Sequence, residues 1–218
     1  MFKFILNCVH CGFGRDGFKM ARKAELRRQR IFDDALAAAT EIAARDGLKG
    51  LTARRIAKQI GCSVGTLYNV FENLDSLILY MNAATFAALF EELKRLGISR
   101  DPETRIRDLV DTYLAFTLDN ANLWSVIFEH VWPRDYPVPE WYQQGIRQLL
   151  AMLADALEPI LPEADRAERM QAATALWSGL HGIQSLAAAG KLGLLTSENL
   201  TSLIDLLVWK FIAGMRKG

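Results

Sequence analysis

Apolar positions recur along this chain at helical spacing. Ile31, Ala35, Ala38, Ala39 and Ile42 are separated by steps of three and four, so they share one face of a first helix over about 23–46. Gly47, which tolerates positive φ, supplies its stop. Thr52 is a suitable N-cap for a short second helix with Ile56, Ala57 and Ile60 on its inner face, ended by Gly61. Ser63 caps a third, in which Val64, Leu67 and Phe71 fall within a narrow arc and point inward. A fourth helix is predicted over about 75–96 and ends at Gly97. Asp101-Pro102-Glu103 opens a fifth, with a capping carboxylate, Pro at the first helical position and an acid near the positive helix end. It runs to about 119, and an aromatic-rich sixth covers about 121–132. Three prolines in 133–139 demand a loop. Helices over about 139–158, 163–189 and 197–216 complete the pattern. The prediction is an all-α protein of about nine helices.

Residues 52–71, TARRIAKQIGCSVGTLYNVF, hold two short helices joined by a tight Gly-containing turn. That is the minimum unit for presenting a helix to the major groove of DNA. With Val64, Leu67 and Phe71 inward, Gly65, Thr66 and Asn69 project outward, with Tyr68 at the edge. This small, polar face can lie against a duplex. Tyr68 is placed for a phosphate, and Thr66 and Asn69 for base edges.

The string Leu51-Thr52, Ile56-Ala57, Gly61, Ser63, Gly65-Thr66-Leu67-Tyr68 and Phe71 resembles the TetR/AcrR family of transcriptional regulators over about residues 27–80. The resemblance implies a third helix in the major groove, with Thr52, Tyr68 and nearby helix amides gripping phosphates. Arg54, Arg55 and Ser63 join Thr52, Gly65, Thr66, Tyr68 and Asn69 as the candidate DNA-binding set. Two positions depart from the family pattern: Val70 stands where His or Tyr is common, and Leu74 precedes Asp75 where a Lys commonly opens the fourth helix. Loss of two phosphate contacts weakens binding and flattens its salt dependence. Arg54, Arg55 and Lys58 either compensate or simply keep the surface soluble.

Charge sharpens this picture. The formal net charge is only +1, but residues 22–58 carry ten basic and five acidic side chains, leaving −4 elsewhere. A basic end on a mildly acidic body is suited to a polyanion. The organisation expected is an extension over 1–20 outside the fold (Met20 being the more natural start), a DNA-binding domain over 21–80, and a regulatory and dimerisation domain over 81–218. Cys8, Cys11 and Cys62 are too few and too uneven for a secreted disulfide framework, and Cys8-Val9-His10-Cys11 is short of the four ligands of a structural zinc site. No metal or other cofactor is expected. Without an apolar run of the ~18 residues a membrane span needs, the expected location is the cytoplasm.

The family's C-terminal half usually dimerises and senses a ligand. The last two predicted helices are apolar over more than one face, which calls for two apolar neighbours. One is the chain's own core; the other is a symmetry mate in a homodimer, or else the helices are simply buried in a monomer. Trp177, Leu180, Gln184, Leu203, Leu207 and Phe211 are the candidate interface. Trp177-Ser178-Gly179-Leu180-His181-Gly182 also resembles a Trp–His–Gly signature of one TetR branch. The mid-helix glycines there imply close packing against a neighbour. Phe86, Phe90, Tyr113, Phe116, Phe128, Trp132, Trp177 and His181 either fill the core or line a pocket for a mostly apolar effector of unknown identity, with His181 more naturally a satisfied buried histidine than a ligand contact. The function expected is a repressor released from a palindromic operator by that effector, and not an enzyme. The rival readings are a helical enzyme or a ligand-binding protein without DNA binding. Asp33-Asp34 lacks a third carboxylate at metal-binding spacing, and the chain has neither a nucleophile elbow nor a phosphate-binding Gly loop.

Overall fold

The computed structural model describes residues 15–97, 101–134 and 136–216. Among them are nine α-helices and no strand: α1 (Arg15–Asp46), α2 (Ala53–Gln59), α3 (Val64–Tyr68), α4 (Leu74–Arg95), α5 (Pro102–Asp119), α6 (Ala121–Glu129), α7 (Glu140–Leu157), α8 (Arg166–Ala188) and α9 (Leu200–Met215). The helix order expected from the periodicity is the one found. Gly47 and Gly61 take φ values of 64° and 69°, the left-handed turns that let α1 and α2 stop abruptly. Asp101 accepts a hydrogen bond from the Thr104 amide at 2.8 Å and caps α5, whose first residue is Pro102.

Several boundaries differ from expectation. Residues 15–20 are helical and continuous with α1, which therefore begins eight residues before the periodic pattern does. Cys8, His10 and Cys11 lie outside the described residues. α6 ends at Glu129, three residues early, because Pro133 disfavours helical geometry just before it and His130 turns toward α4. Two short 3-10 turns, Leu48–Gly50 and Leu192–Leu194, were not anticipated; three-residue turns leave no periodic trace.

Two apolar cores form. The N-terminal core contains Ala35, Ala39 and Ile42 of α1, Ile56 of α2, Leu67 of α3, Phe71, and Leu77, Ile78 and Met81 of α4. Leu123 and Val126 of α6 complete it. The larger core joins α4 to α9 and includes Phe86, Leu89, Ile106, Trp124, Leu157, Leu176 and Ile204. α4 and α6 therefore contribute to both cores, and packing ignores a boundary at residue 80. None of the described helices is long and apolar enough to cross a membrane.

Candidate nucleic-acid interface and ligand cavity

The putting-together of the reading head starts with two caps. The Thr52 hydroxyl accepts from the Arg55 amide at 3.3 Å and starts α2; Ser63 Oγ accepts from the Thr66 amide at 3.0 Å and starts α3. A five-residue helix has little stability of its own, so α3 depends on its anchors. Leu67 and Phe71 are buried, and the Phe71 ring stacks on Phe32 of α1 with centroids 4.9 Å apart. Tyr80 of α4 meets Phe32 edge-on and stacks in turn on Trp141 of α7. Val64 is only half-buried, so it anchors less than its spacing implied.

Gly65, Tyr68 and Asn69 are exposed together on the outer side of α3, with Tyr68 43% accessible. Thr66 is half-buried and its hydroxyl lies 2.9 Å from Ser63 Oγ, so it serves the cap before it serves a base. Arg54 and Lys58 are exposed on α2. Arg55 is engaged otherwise: its guanidinium pairs with Asp46 and donates to the Gly50 carbonyl at 3.2 Å. Hydrogen bonds from Arg45 and Arg55 hold the Asp46 carboxyl below its usual range. Arg55 is thus a strut between α2 and the end of α1, where a free phosphate ligand was expected; no local pattern links residues nine apart across a turn. Val70 and Leu74 pack against the N-terminal core.

Inside the body lies a cavity of about 260 Å³ between α4, α5, α6, α7 and α8. Phe86, Tyr113, Phe128, Trp132 and Trp177 line it, as expected, and none of its lining side chains is charged. Three expected members stand elsewhere. Phe90 is half-buried beneath the Lys94 ammonium, 5.5 Å from its ring centre. Phe116 is buried behind Trp124, and His181 sits behind Trp177 and Phe128, stacked on the first with centroids 5.3 Å apart. His181 Nδ1 lies 3.3 Å from the Tyr113 hydroxyl and its Nε2 3.2 Å from Ser185 Oγ, so both ring nitrogens of this half-buried histidine have partners within the chain. Trp124 lines the cavity as well, and sequence reasoning missed the aliphatic wall of α7 (Ile146, Leu149, Leu150, Met152 and Leu153). A search for aromatic excess passes over an aliphatic stripe, although that stripe's helical spacing was visible.

The cavity is coupled to the reading head at two places. α6 turns Trp124, Ile127 and Phe128 to the cavity and Leu123 and Val126 to α1, while Asn122 Nδ2 donates to the Ala44 carbonyl at 2.7 Å. Beyond α6, His130 Nε2 lies 3.0 Å from Asp75 in the first turn of α4, and the His130 ring meets cavity-lining Trp132 edge-on at 4.5 Å.

The last two helices pack on each other but present other residues outward than expected. Leu180 and Gln184 are 2% and 3% exposed and face the chain's own core; they cannot meet a partner. Trp177 belongs to the cavity, Leu207 packs on Gly179, and Phe211 packs against the main core; Leu203 is half-buried. The outward positions are Leu206 and Trp209 of α9, about half exposed, and Ala175, Ser178, Gly182 and Ser185 of α8. The expectation of close helix contact at the glycines holds at Gly179, where a Cβ would come within 2.9 Å of Leu207. At Gly182 nothing lies within 4 Å.

Two family models match the chain. Residues 35–81 match bacterial regulatory proteins of the tetR family, and residues 106–210 match the tetracyclin repressor-like C-terminal domain. A helix-turn-helix transcriptional regulator of Mycobacterium tuberculosis is 23% identical over 198 residues, covering 91% of this chain and 85% of that one. Among solved structures, Thermus thermophilus FadR, a TetR-family repressor in complex with lauroyl-CoA, is 23% identical with a TM-score of 0.62, covering 86% of this chain and 94% of that one. The fatty acid degradation regulator FadR of Bacillus halodurans is 16% identical with a TM-score of 0.63, covering 85% and 96%.

Proposed function

The chain belongs to the TetR family of transcriptional regulators through both its N-terminal and its C-terminal domain, and from that premise we propose that it is a homodimeric repressor released from a palindromic operator by a mostly apolar ligand. The observation that carries the DNA-binding half is the outward face of α3. Gly65, Tyr68 and Asn69 are held out together by the buried Leu67 and Phe71 and by the Ser63 cap. Val70 and Leu74 stabilise the core from positions where the family commonly touches phosphate, so electrostatic grip falls more heavily on Tyr68, Arg54, Lys58 and the basic outer side of α1. The absence of charge in the cavity lining supports an apolar effector, and the FadR relative's acyl ligand is in keeping with that character. The protein works in the cytoplasm, where operator DNA is found.

Release follows when the ligand prefers a dimer whose reading heads no longer match two successive major grooves. α4 carries residues of both cores, and α6 touches cavity and α1 on opposite sides, so either can convey the change. A hundredfold preference for the mismatched form is worth ~2.7 kcal/mol per site.

Gel-shift titration against the chain's own upstream DNA tests this reading. Tyr68→Ala is expected to weaken binding to all sequences, and Asn69→Ala to alter preference among operator variants. If a triple Thr66→Ala, Tyr68→Ala, Asn69→Ala variant keeps wild-type affinity, α3 is not the reading helix. If compounds that stabilise the protein leave operator affinity unchanged, the cavity is not an induction site.

A further inference from the structure

The N-terminal part of α1 leaves the body of the molecule. Followed toward its start, α1 passes α2 and then the end of α3. Asp46 pairs with Arg55, Glu41 accepts from Gln59 Nε2 at 2.7 Å, and Phe32 stacks on Phe71. Phe32 is the first described residue of α1 packed into the N-terminal core, and Met20 and residues 22–30 ahead of it are all exposed. At about 1.5 Å per residue, the helix from Phe32 back to Arg22 reaches ~15 Å past the Phe71 contact. Over 22–30 it carries Arg22, Lys23, Arg27, Arg28 and Arg30 against a single acid, Glu25. Among the described residues, the ion pair it makes is Arg30 with Asp34 at 3.8 Å, both largely exposed. A helix face that serves solubility alone mixes both signs, and this one does not. Lys23, Arg27 and Arg30 fall on one face over successive turns, and like charges at that spacing destabilise a helix in water. A polyanion laid along that face replaces the repulsion with attraction.

We infer that residues 22–30 form a basic arm that lies along the phosphates flanking each operator half-site, with Lys23, Arg27 and Arg30 each neutralising one. The arm adds grip and reads no bases. The inference rests on the DNA-binding reading above and extends it from α3 to a second contact. The arm sets out from the reading head itself, at the Phe32–Phe71 stack, so a duplex seated on α3 brings its flanking phosphates nearest to it. An anionic membrane is the competing polyanion. It calls for an apolar stripe that sinks into lipid, but the exposed Met20 and Leu26 stand about 120° apart around the helix.

The test is the salt dependence of binding by the full chain, followed by fluorescence anisotropy between about 50 and 200 mM salt. Two probes of equal length are used, a duplex from the chain's own upstream region and a random duplex. For the triple variant Lys23→Gln, Arg27→Gln, Arg30→Gln, the slope of log affinity against log salt is expected to flatten by about five, the share of six phosphates in a dimer. The flattening is expected on both duplexes, with the preference for the upstream one kept, because phosphate contacts carry no sequence information. A control, Lys94→Gln, Arg166→Gln, Lys191→Gln, removes as much charge from exposed positions of the body and is expected to keep the wild-type slope. An arm variant with the wild-type slope overturns the inference. So does a control that flattens the slope equally, since net charge then explains the effect. Loss of preference for the upstream duplex at an unchanged slope also overturns it, because the arm then reads bases. Arm-dependent binding to vesicles of phosphatidylserine and phosphatidylcholine, with the DNA slope unchanged, assigns the arm to a membrane instead. A wild type that binds both duplexes alike removes α3 as the specificity helix and leaves the arm to be judged on its slope; one that binds neither removes both readings.

Discussion

Two histidines are held neutral by their surroundings: His130 beside the first turn of α4, and His181 behind Trp177 and Phe128. Burial lowers the pKa of His130; the Asp75 carboxylate 3.0 Å away pulls in the opposite direction but does not prevail. Burial alone lowers that of His181. A histidine whose folded pKa lies below its unfolded value of ~6.5 must take up a proton on unfolding in mildly acid solution. Its contribution to stability is therefore complete above about pH 6.5 and is lost as pH falls through the lower folded value. The midpoint of thermal unfolding is expected to be flat above neutrality and to fall as pH drops below about 6.5, before most carboxylates titrate. His181→Phe is expected to reduce that slope while keeping the stack on Trp177. An unchanged slope in both His181→Phe and His130→Gln would show that neither histidine is the source.

Among the elements, α8 shows how one helix answers to three neighbours. Ala173, Leu176, Leu180 and Gln184 face the core, Gly179 meets Leu207 of α9, and Ala175, Ser178, Gly182 and Ser185 face outward. Ser178 Oγ donates to the Thr174 carbonyl at 2.8 Å, which removes a polar obstacle from that outward face. The two glycines should therefore respond differently to alanine. Gly179→Ala pushes on the Leu207 side chain and is expected to cost ~1 kcal/mol or more by overpacking. Gly182→Ala meets nothing within the chain and is expected to raise helix stability by ~0.5–1 kcal/mol if the face stays in water. If a second copy packs there, the same substitution loosens the dimer. Chemical denaturation at high and low protein concentration distinguishes the two, because only a dimer effect depends on concentration.

At the scale of the whole molecule, the proposed dimer is the assembly that would set the distance between two reading heads. Leu206 and Trp209 are large, apolar and about half exposed on α9, and they extend the small-residue face of α8. Covering both faces with a second copy buries them symmetrically. A Leu206→Asp, Trp209→Lys double variant is expected to sediment as a monomer and to lose most operator affinity, since one head grips half the phosphates. Wild-type sedimentation and affinity in that variant would place the interface elsewhere. The same charges introduced at Leu180 or Gln184 are expected to unfold the chain, because those residues are buried within it.

Helix type, order and most caps were legible in the chain because they depend on local chemistry: three-and-four spacing, Gly at a left-handed turn, Ser or Thr ahead of a free amide. The outward face of α3 was legible for the same reason, since inward Leu67 and Phe71 determine where Gly65, Tyr68 and Asn69 point. Tertiary structure decided what local spacing cannot express. It drew Arg55 to Asp46 across a turn, folded Val70 and Leu74 into the core, and joined α6 to both cores. It also sorted the apolar stripes of α8 and α9 between the chain's own core and the outside, making Leu206 and Trp209 the exposed pair in place of Leu180 and Gln184. Helical periodicity says which residues share a face; only the neighbouring helices determine whether that face meets the core, a cavity or water.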